Sequence, residues 1–159
     1  QAQEKDIEGA SFIRASAEAL PIADQSVDGA FLLGVLSTVD KEKREKMLKE
    51  VERVLKDGGL VYTAEFTRIE DPEARTVRDN KLWSDVYRDD ESETNEYGTI
   101  VARNPDGSPK FHAHHFTKEE LIESFEQNNL KVLGVEKVKV KSTVSGAERD
   151  NWNIWGRKD

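Results

Sequence analysis

Val27-Asp28-Gly29-Ala30-Phe31-Leu32-Leu33-Gly34-Val35-Leu36 is the stretch that decides the fold. An almost unbroken apolar run of this kind, rich in Leu and Val, is the pattern of a strand covered on both faces by helices, which favours a parallel sheet. Downstream, Asp40 offers an N-cap, and Met47, Leu48, Val51, Val54 and Leu55 recur at helical spacing, so a helix is expected over 41–56. Asp57-Gly58-Gly59 is its expected stop, and a strand resumes over Leu60 to Phe66. Strand, helix and strand at this spacing make a βαβ unit, whose crossover is right-handed.

Working outward, Gln1 to Gly9 is polar and helix-compatible, and Ser11 to Arg14 is a short strand candidate. Residues 68–96 break the rhythm with charge, including the acidic tract Asp89-Asp90-Glu91-Ser92-Glu93. Leu82, Trp83, Val86 and Tyr87 are spaced for one face of a short helix. Thr99 to Ala102 and Lys110 to Ala113 flank Asn104-Pro105-Asp106-Gly107, whose Pro and Gly suit a type I turn with a glycine bulge. Thr117 and Glu120 form a capping box for a helix over 118–128, and strands are expected over Lys131 to Lys141 and Trp152 to Arg157.

The chain has 159 residues, no Cys and a formal net charge of −8. Of these residues 38 are Leu, Ile, Val or Phe, enough for a core and too many for a disordered chain. No window approaches the roughly 18 apolar residues of a membrane span. Without Cys there are no disulfides or thiolate metal sites, and a reducing cytoplasm is the default expectation. The acidic balance argues against nucleic acid as a partner.

Several local patterns then line up in order. Ala17-Glu18-Ala19-Leu20-Pro21-Ile22 is followed by Asp24-Gln25-Ser26-Val27-Asp28, by the apolar strand, and by Arg53-Val54-Leu55-Lys56-Asp57-Gly58-Gly59. The later run His115-Phe116-Thr117-Lys118-Glu119-Glu120-Leu121 completes the set. Together they resemble the class I S-adenosylmethionine-dependent methyltransferases, in particular the branch with the quinone-biosynthesis C-methyltransferases. The resemblance implies an α/β, partial Rossmann-like fold: a mostly parallel sheet with an antiparallel C-terminal strand and an inserted hairpin. Its strand order would be 3-2-1-4-5-7-6. It implies S-adenosyl-L-methionine as cofactor and a small-molecule or lipidic methyl acceptor, with residues 68–116 as the substrate-side insertion.

The family's glycine-rich cofactor loop and second strand have no counterpart here, and no Gly-x-Gly occurs in the sequence. With Gln1 in place of Met, the expectation is one N-terminally truncated domain over 1–159 that is inactive alone and binds the cofactor more weakly than millimolar. A non-catalytic module that packs on a partner is the alternative, and it predicts an exposed apolar flank on Ala30, Leu32 and their strand neighbours.

The resemblance assigns cofactor contact to Ser16, Ala17 and Glu18, with Ser16 standing where the family usually has Asp. It assigns backbone contact to Leu32, Leu33 and Gly34, at the carboxyl edge where ligands of open α/β sheets gather. Core packing accounts for both leucine side chains. Glu65, on the same edge, is a weak catalytic candidate or simply a polar residue where a strand meets water. His115 is the other weak catalytic candidate, bordering the substrate cavity. His112 and His114 share a strand face with His115 beside them, but two ligands are too few for zinc, and no metal is expected. Lys137, Lys139 and Lys141 read as protection of a sheet edge. Trp83 and Tyr87 read as packing or as the lining of an acceptor pocket.

Overall fold

Asp40 caps the first helix as its sequence suggests, its carboxylate accepting the Lys43 N–H at 2.9 Å. The computed structural model, which describes residues 9–76, 80–141 and 148–159, builds outward from that helix. The order is β1 (Val27–Leu33), a 3₁₀ turn (Leu36–Thr38), α1 (Lys41–Val54), β2 (Leu55–Phe66), α2 (Trp83–Thr94), β3 (Thr99–Arg103), β4 (Pro109–His114), α3 (Lys118–Glu126), β5 (Leu130–Lys141) and β6 (Glu148–Lys158). The helix expected over Gln1 to Gly9 lies, except for Gly9, outside the described residues.

The main sheet runs β1-β2-β6-β5. β1 and β2 are parallel, and β6 is antiparallel to both of its neighbours, so three strands share one direction and the last opposes them. This is the 4-5-7-6 portion of the expected order. β3 and β4 form a separate hairpin. At its turn Gly107, at φ +86°, donates its N–H to Asn104 O at 2.9 Å, as the Asn-Pro-Asp-Gly sequence requires.

One core lies between α1, α3 and a single face of the sheet. Met47, Leu48 and Val51 of α1 and Leu121 and Phe125 of α3 meet Leu32, Val61 and Ile154 of the strands. The opposite face is bare among the described residues: Phe31 is 78 % and Leu33 65 % exposed, with Leu60 and Leu133 half-exposed. This corrects two expectations. β1 is covered on one face only, and the exposed apolar flank consists of Phe31 and Leu33, whereas Leu32 is buried and Ala30 packs against the core.

Two further expectations change. Ser11 to Arg14 forms no strand; it has no sheet neighbour to pair with, and Phe12 and Ile13 are exposed. α1 ends at Val54, before Asp57-Gly58-Gly59. Leu55 is already extended and pairs with Val27, and the pairing then jumps to Gly29 and Leu60, so the Asp-Gly-Gly run forms a bulge inside β2 with Gly58 at φ +77°. Sheet pairing, not the glycines, sets the helix end. Among the described residues no helix is long and apolar enough to cross a membrane.

Candidate functional site

The carboxyl end of β2 opens into a cavity of about 660 Å³. Phe66, Arg68, Trp83, His115, Lys137 and Arg149 are among the residues lining it, drawn from β2, the segment after it, α2, the segment after β4, β5 and β6. The aromatic wall is continuous: the His115 ring lies 5.7 Å from Phe66, 5.6 Å from Trp83 and 5.7 Å from Tyr87, centroid to centroid. The Arg149 guanidinium caps Phe66 at 4.3 Å from the ring centroid, and the Lys137 ammonium sits 4.7 Å from that of Trp152. β5 is the sheet edge, as the lysine stripe suggested, but Lys137 and Lys139 also line the cavity.

His115 is held through its backbone and through Nδ1. Its N–H donates to Gly98 O at 2.9 Å and its carbonyl accepts from Arg68 Nε at 3.2 Å. Its Nδ1 lies 2.8 Å from the hydroxyl of Tyr87, a fully buried residue that also accepts the Ile69 N–H at 3.3 Å. Burial, with the cations Arg149 and Arg68 and the neighbouring His114, pushes the His115 imidazole down to about 4. Burial pushes the Tyr87 phenol up to about 12. Both are therefore uncharged at neutral pH.

Behind this wall one Arg68 Nη2 nitrogen reaches both Glu120 carboxylate oxygens, at 2.6 and 2.8 Å, and Glu120 also accepts the Thr117 N–H in the capping box of α3. Burial alone would raise the Glu120 carboxyl; the His114 ring, the Thr117 N–H and Arg68 outweigh it and hold it at about 2. His114 is buried against Thr99, with Nδ1 2.8 Å from its hydroxyl, while His112 is exposed. Among the described residues no group of three or more His, Cys, Asp or Glu side chains could hold a metal ion.

Glu65 does not face the cavity. It is fully buried and receives Leu36 N–H at 3.2 Å and Ser37 N–H at 2.9 Å, with the hydroxyls of Ser37 and Thr63 each 2.6 Å away. Burial raises its carboxyl above the ordinary value, and these donors oppose the shift. Its carboxylate thus straps the turn after β1 onto β2, far from a strand end emerging into water.

That strap fixes Gly34, which stands at φ +66° with its N–H on Ala64 O at 2.8 Å and open space where a Cβ would project. Leu32 is buried in the core, but Leu33 is exposed, against the expectation of packing. Ser16 is exposed, and its Oγ accepts the Glu18 N–H at 3.2 Å; Ala17 packs against the core and Glu18 is half-buried. None of these six residues lines the cavity.

Arg53, which sequence reading treated only as part of a motif, holds their loop in place. Its guanidinium bonds Leu20 O at 3.0 Å, Ile22 O at 2.9 Å, Asp24 at 2.5 Å and Glu50 at 2.8 Å, and Glu50 accepts the Leu20 N–H at 2.7 Å. Arg53 and Glu50 are three apart on one helix face, which is the signal that could have found them.

Comparison with known proteins agrees with this architecture. A family profile described as "Methyltransferase domain" matches residues 1–63. The ubiquinone/menaquinone biosynthesis C-methyltransferase UbiE of Acidiphilium cryptum is 38% identical over 81 residues, covering 50% of this chain and 30% of that protein. A crystal structure of a SAM-dependent methyltransferase from Methanosarcina mazei superposes with a TM-score of 0.77 at 29% identity, over 91% of this chain and 65% of that one. The 1,6-didemethyltoxoflavin-N1-methyltransferase of Burkholderia thailandensis, solved with its substrate and S-adenosylhomocysteine, has the same fold at 14% identity and a TM-score of 0.59, over 92% of this chain and 50% of that one. The chain thus spans less than two thirds of the length of these relatives. In its motifs, its strand order and these matches, the chain is similar to the S-adenosylmethionine-dependent methyltransferases, with which it shares their Rossmann-like fold.

Proposed function

We propose that this chain contributes the acceptor side of an S-adenosylmethionine-dependent methyltransferase acting on a small-molecule or lipidic acceptor in a reducing cytoplasm. The observation that carries the reading is the aromatic cavity at the carboxyl end of β2, walled by Phe66, Trp83 and His115. It is large enough for a ring-sized molecule, and such pockets are typically apolar with a few convergent polar groups.

The residues present fit one flank of the cofactor. Gly34 leaves its backbone open at the carboxyl end of β1, and the loop through Ser16, Ala17 and Glu18 is clamped by Arg53 and Glu50. The Glu18 N–H, however, is already engaged by Ser16, and no Gly-x-Gly turn is present in the chain. When bound, the cofactor supplies an electrophilic sulfonium methyl, whose displacement depends chiefly on alignment of the attacking atom. The chain's own residues orient the acceptor ring, exclude water around it, and hold neutral His115 beside it; Glu65 acts as a positioning residue for the Gly34 turn.

The test is a chimera in which the part of the Methanosarcina relative that this chain does not cover is joined to this chain. Labelled methyl transfer from S-adenosylmethionine to a panel of small acceptors is expected, and is expected to fall with Gly34→Val and with Trp83→Ala. A folded chimera that binds the cofactor yet methylates nothing on the panel would favour the non-catalytic module.

A further inference from the structure

The Tyr87 hydroxyl has one proton and is buried. Its oxygen already accepts the Ile69 N–H, and among the described residues the only acceptor within reach of its proton is His115 Nδ1, 2.8 Å away. A buried hydroxyl proton without an acceptor is costly, so the bond runs from Tyr87 to His115. Nδ1 is therefore the bare nitrogen and Nε2 carries the proton. Nε2 has no partner among the described residues and is not among their fully buried unpaired atoms, so it remains accessible where His115 lines the cavity.

The charges around the ring have one sign near it. Arg149 on β6 and Arg68 after β2 are the charged side chains that act on His115, together with the His114 ring, and the carboxylates Glu70, Asp71, Glu148 and Asp150 line the same cavity. Arg68 is neutralised by Glu120; Arg149 and Lys137 have only aromatic partners among the described residues.

We propose that His115 meets the methyl acceptor as a neutral hydrogen-bond donor through Nε2–H, with Tyr87 as the positioning residue that sets its tautomer, so that the cavity selects a planar ring bearing an oxyanion. The inference rests on the acceptor-site reading above. It assigns His115 the opposite role from a general base: with Nδ1 occupied and Nε2 protonated, the ring has no free lone pair to take a proton. It orients the acceptor oxygen and stabilises its charge, while an ammonium meets both the N–H and Arg149 unfavourably.

Long-range proton–nitrogen NMR on the full chain tests this, since only three histidines, 112, 114 and 115, contribute imidazole signals. His115 is expected in the Nε2–H form and uncharged down to pH 5. Benzoate is expected to shift its Nε2–H and the Trp83 indole signals, and benzylamine at the same concentration to leave both in place. Tyr87→Phe should give a mixture of tautomers, and His115→Phe should weaken benzoate binding by roughly tenfold or more, the loss of one hydrogen bond to a charged group. His115→Gln, which keeps an N–H donor, should restore part of it. An Nδ1–H tautomer in the wild type, tighter binding of benzylamine, or an unchanged tautomer in a folded Tyr87→Phe protein would overturn the proposal. Methyl transfer is measured separately on the chimera: no transfer with the Nε2–H form and benzoate binding intact defeats the acceptor-site reading alone, and transfer with an Nδ1–H ring defeats this one alone.

Discussion

Glu65 ties the turn after β1 to β2 through a single buried side chain. The Leu36 and Ser37 N–H groups and the Ser37 hydroxyl converge on one buried carboxyl group, so Glu65→Gln turns an amide N–H₂ toward N–H groups that need an acceptor. A loss of about 1–3 kcal/mol in urea unfolding is expected, the cost of leaving buried donors unpaired. Acid acts on different residues in two stages. His115 has a folded value of about 4 against an ordinary 6.5, so the unfolded chain takes up its proton first. Stability is therefore fully present above pH 6.5 and is lost as pH falls toward 4, by on the order of 3 kcal/mol. Glu50 and Glu120, both held at about 2 against an ordinary 4.5, add a second loss between pH 4.5 and 2. Glu50 owes its low value chiefly to Arg53, so the amide of Leu20 should exchange faster in that range. Urea midpoints recorded against pH should fall in both windows, and the upper one should vanish in His115→Phe. A midpoint that is flat from pH 6.5 to 4.5 contradicts the buried neutral ring.

At the level of elements, what was legible in the sequence was what short-range chemistry decides. The caps at Asp40 and Thr117, the Asn-Pro-Asp-Gly turn and the spacing of Trp83 and Tyr87 each depend on residues within a few positions of one another. What stayed hidden depends on distant partners. The end of α1 is set by the pairing of Leu55 with Val27, and the exposure of Leu33 by the lack, among the described residues, of a covering layer on its face of the sheet. The site was legible as a place, through the His115 motif and the strand edge, but not as chemistry. The Tyr87–His115 bond joins residues 28 positions apart and the Ser37–Glu65 bond residues 28 apart, and no local pattern reports either. The capping box of α3 joins the two scales. Thr117→Ala removes the acceptor of the Glu120 N–H and should cost about 1 kcal/mol in thermal or urea unfolding. Because Glu120 also holds Arg68, Glu120→Gln should cost more and should loosen the Arg68 contacts to the Tyr97 and His115 carbonyls. Equal losses in the two variants would show that the Arg68 pair adds nothing.

For the whole molecule, the division between its two ligand regions matters most. The cavity is walled by residues of this chain, whereas Ser16 to Glu18 and Leu32 to Gly34, the segments proposed to meet the cofactor, lie outside it. The 159-residue chain alone is expected to bind S-adenosylmethionine more weakly than millimolar in titration calorimetry, and micromolar affinity would refute that division. The sheet order has a further meaning in time. β6, residues 148–158, lies between β2 and β5, so the middle of the sheet is built from residues that follow both of its neighbours in the chain. Until it arrives β2 and β5 have no common neighbour, and Ile154 is missing from the core that α1 and α3 cover. At roughly 5–20 residues per second the stretch from Phe66 to Lys158 takes on the order of ten seconds and that from Lys141 about one to three, and until then the backbone edges that β6 will pair on β2 and β5 are open. Completion of the sheet is therefore a late, long-range event of the kind that slows folding. A chain halted just before Glu148 is expected to bind chaperones more than the chain that includes β6, which a pull-down of stalled translation products would check.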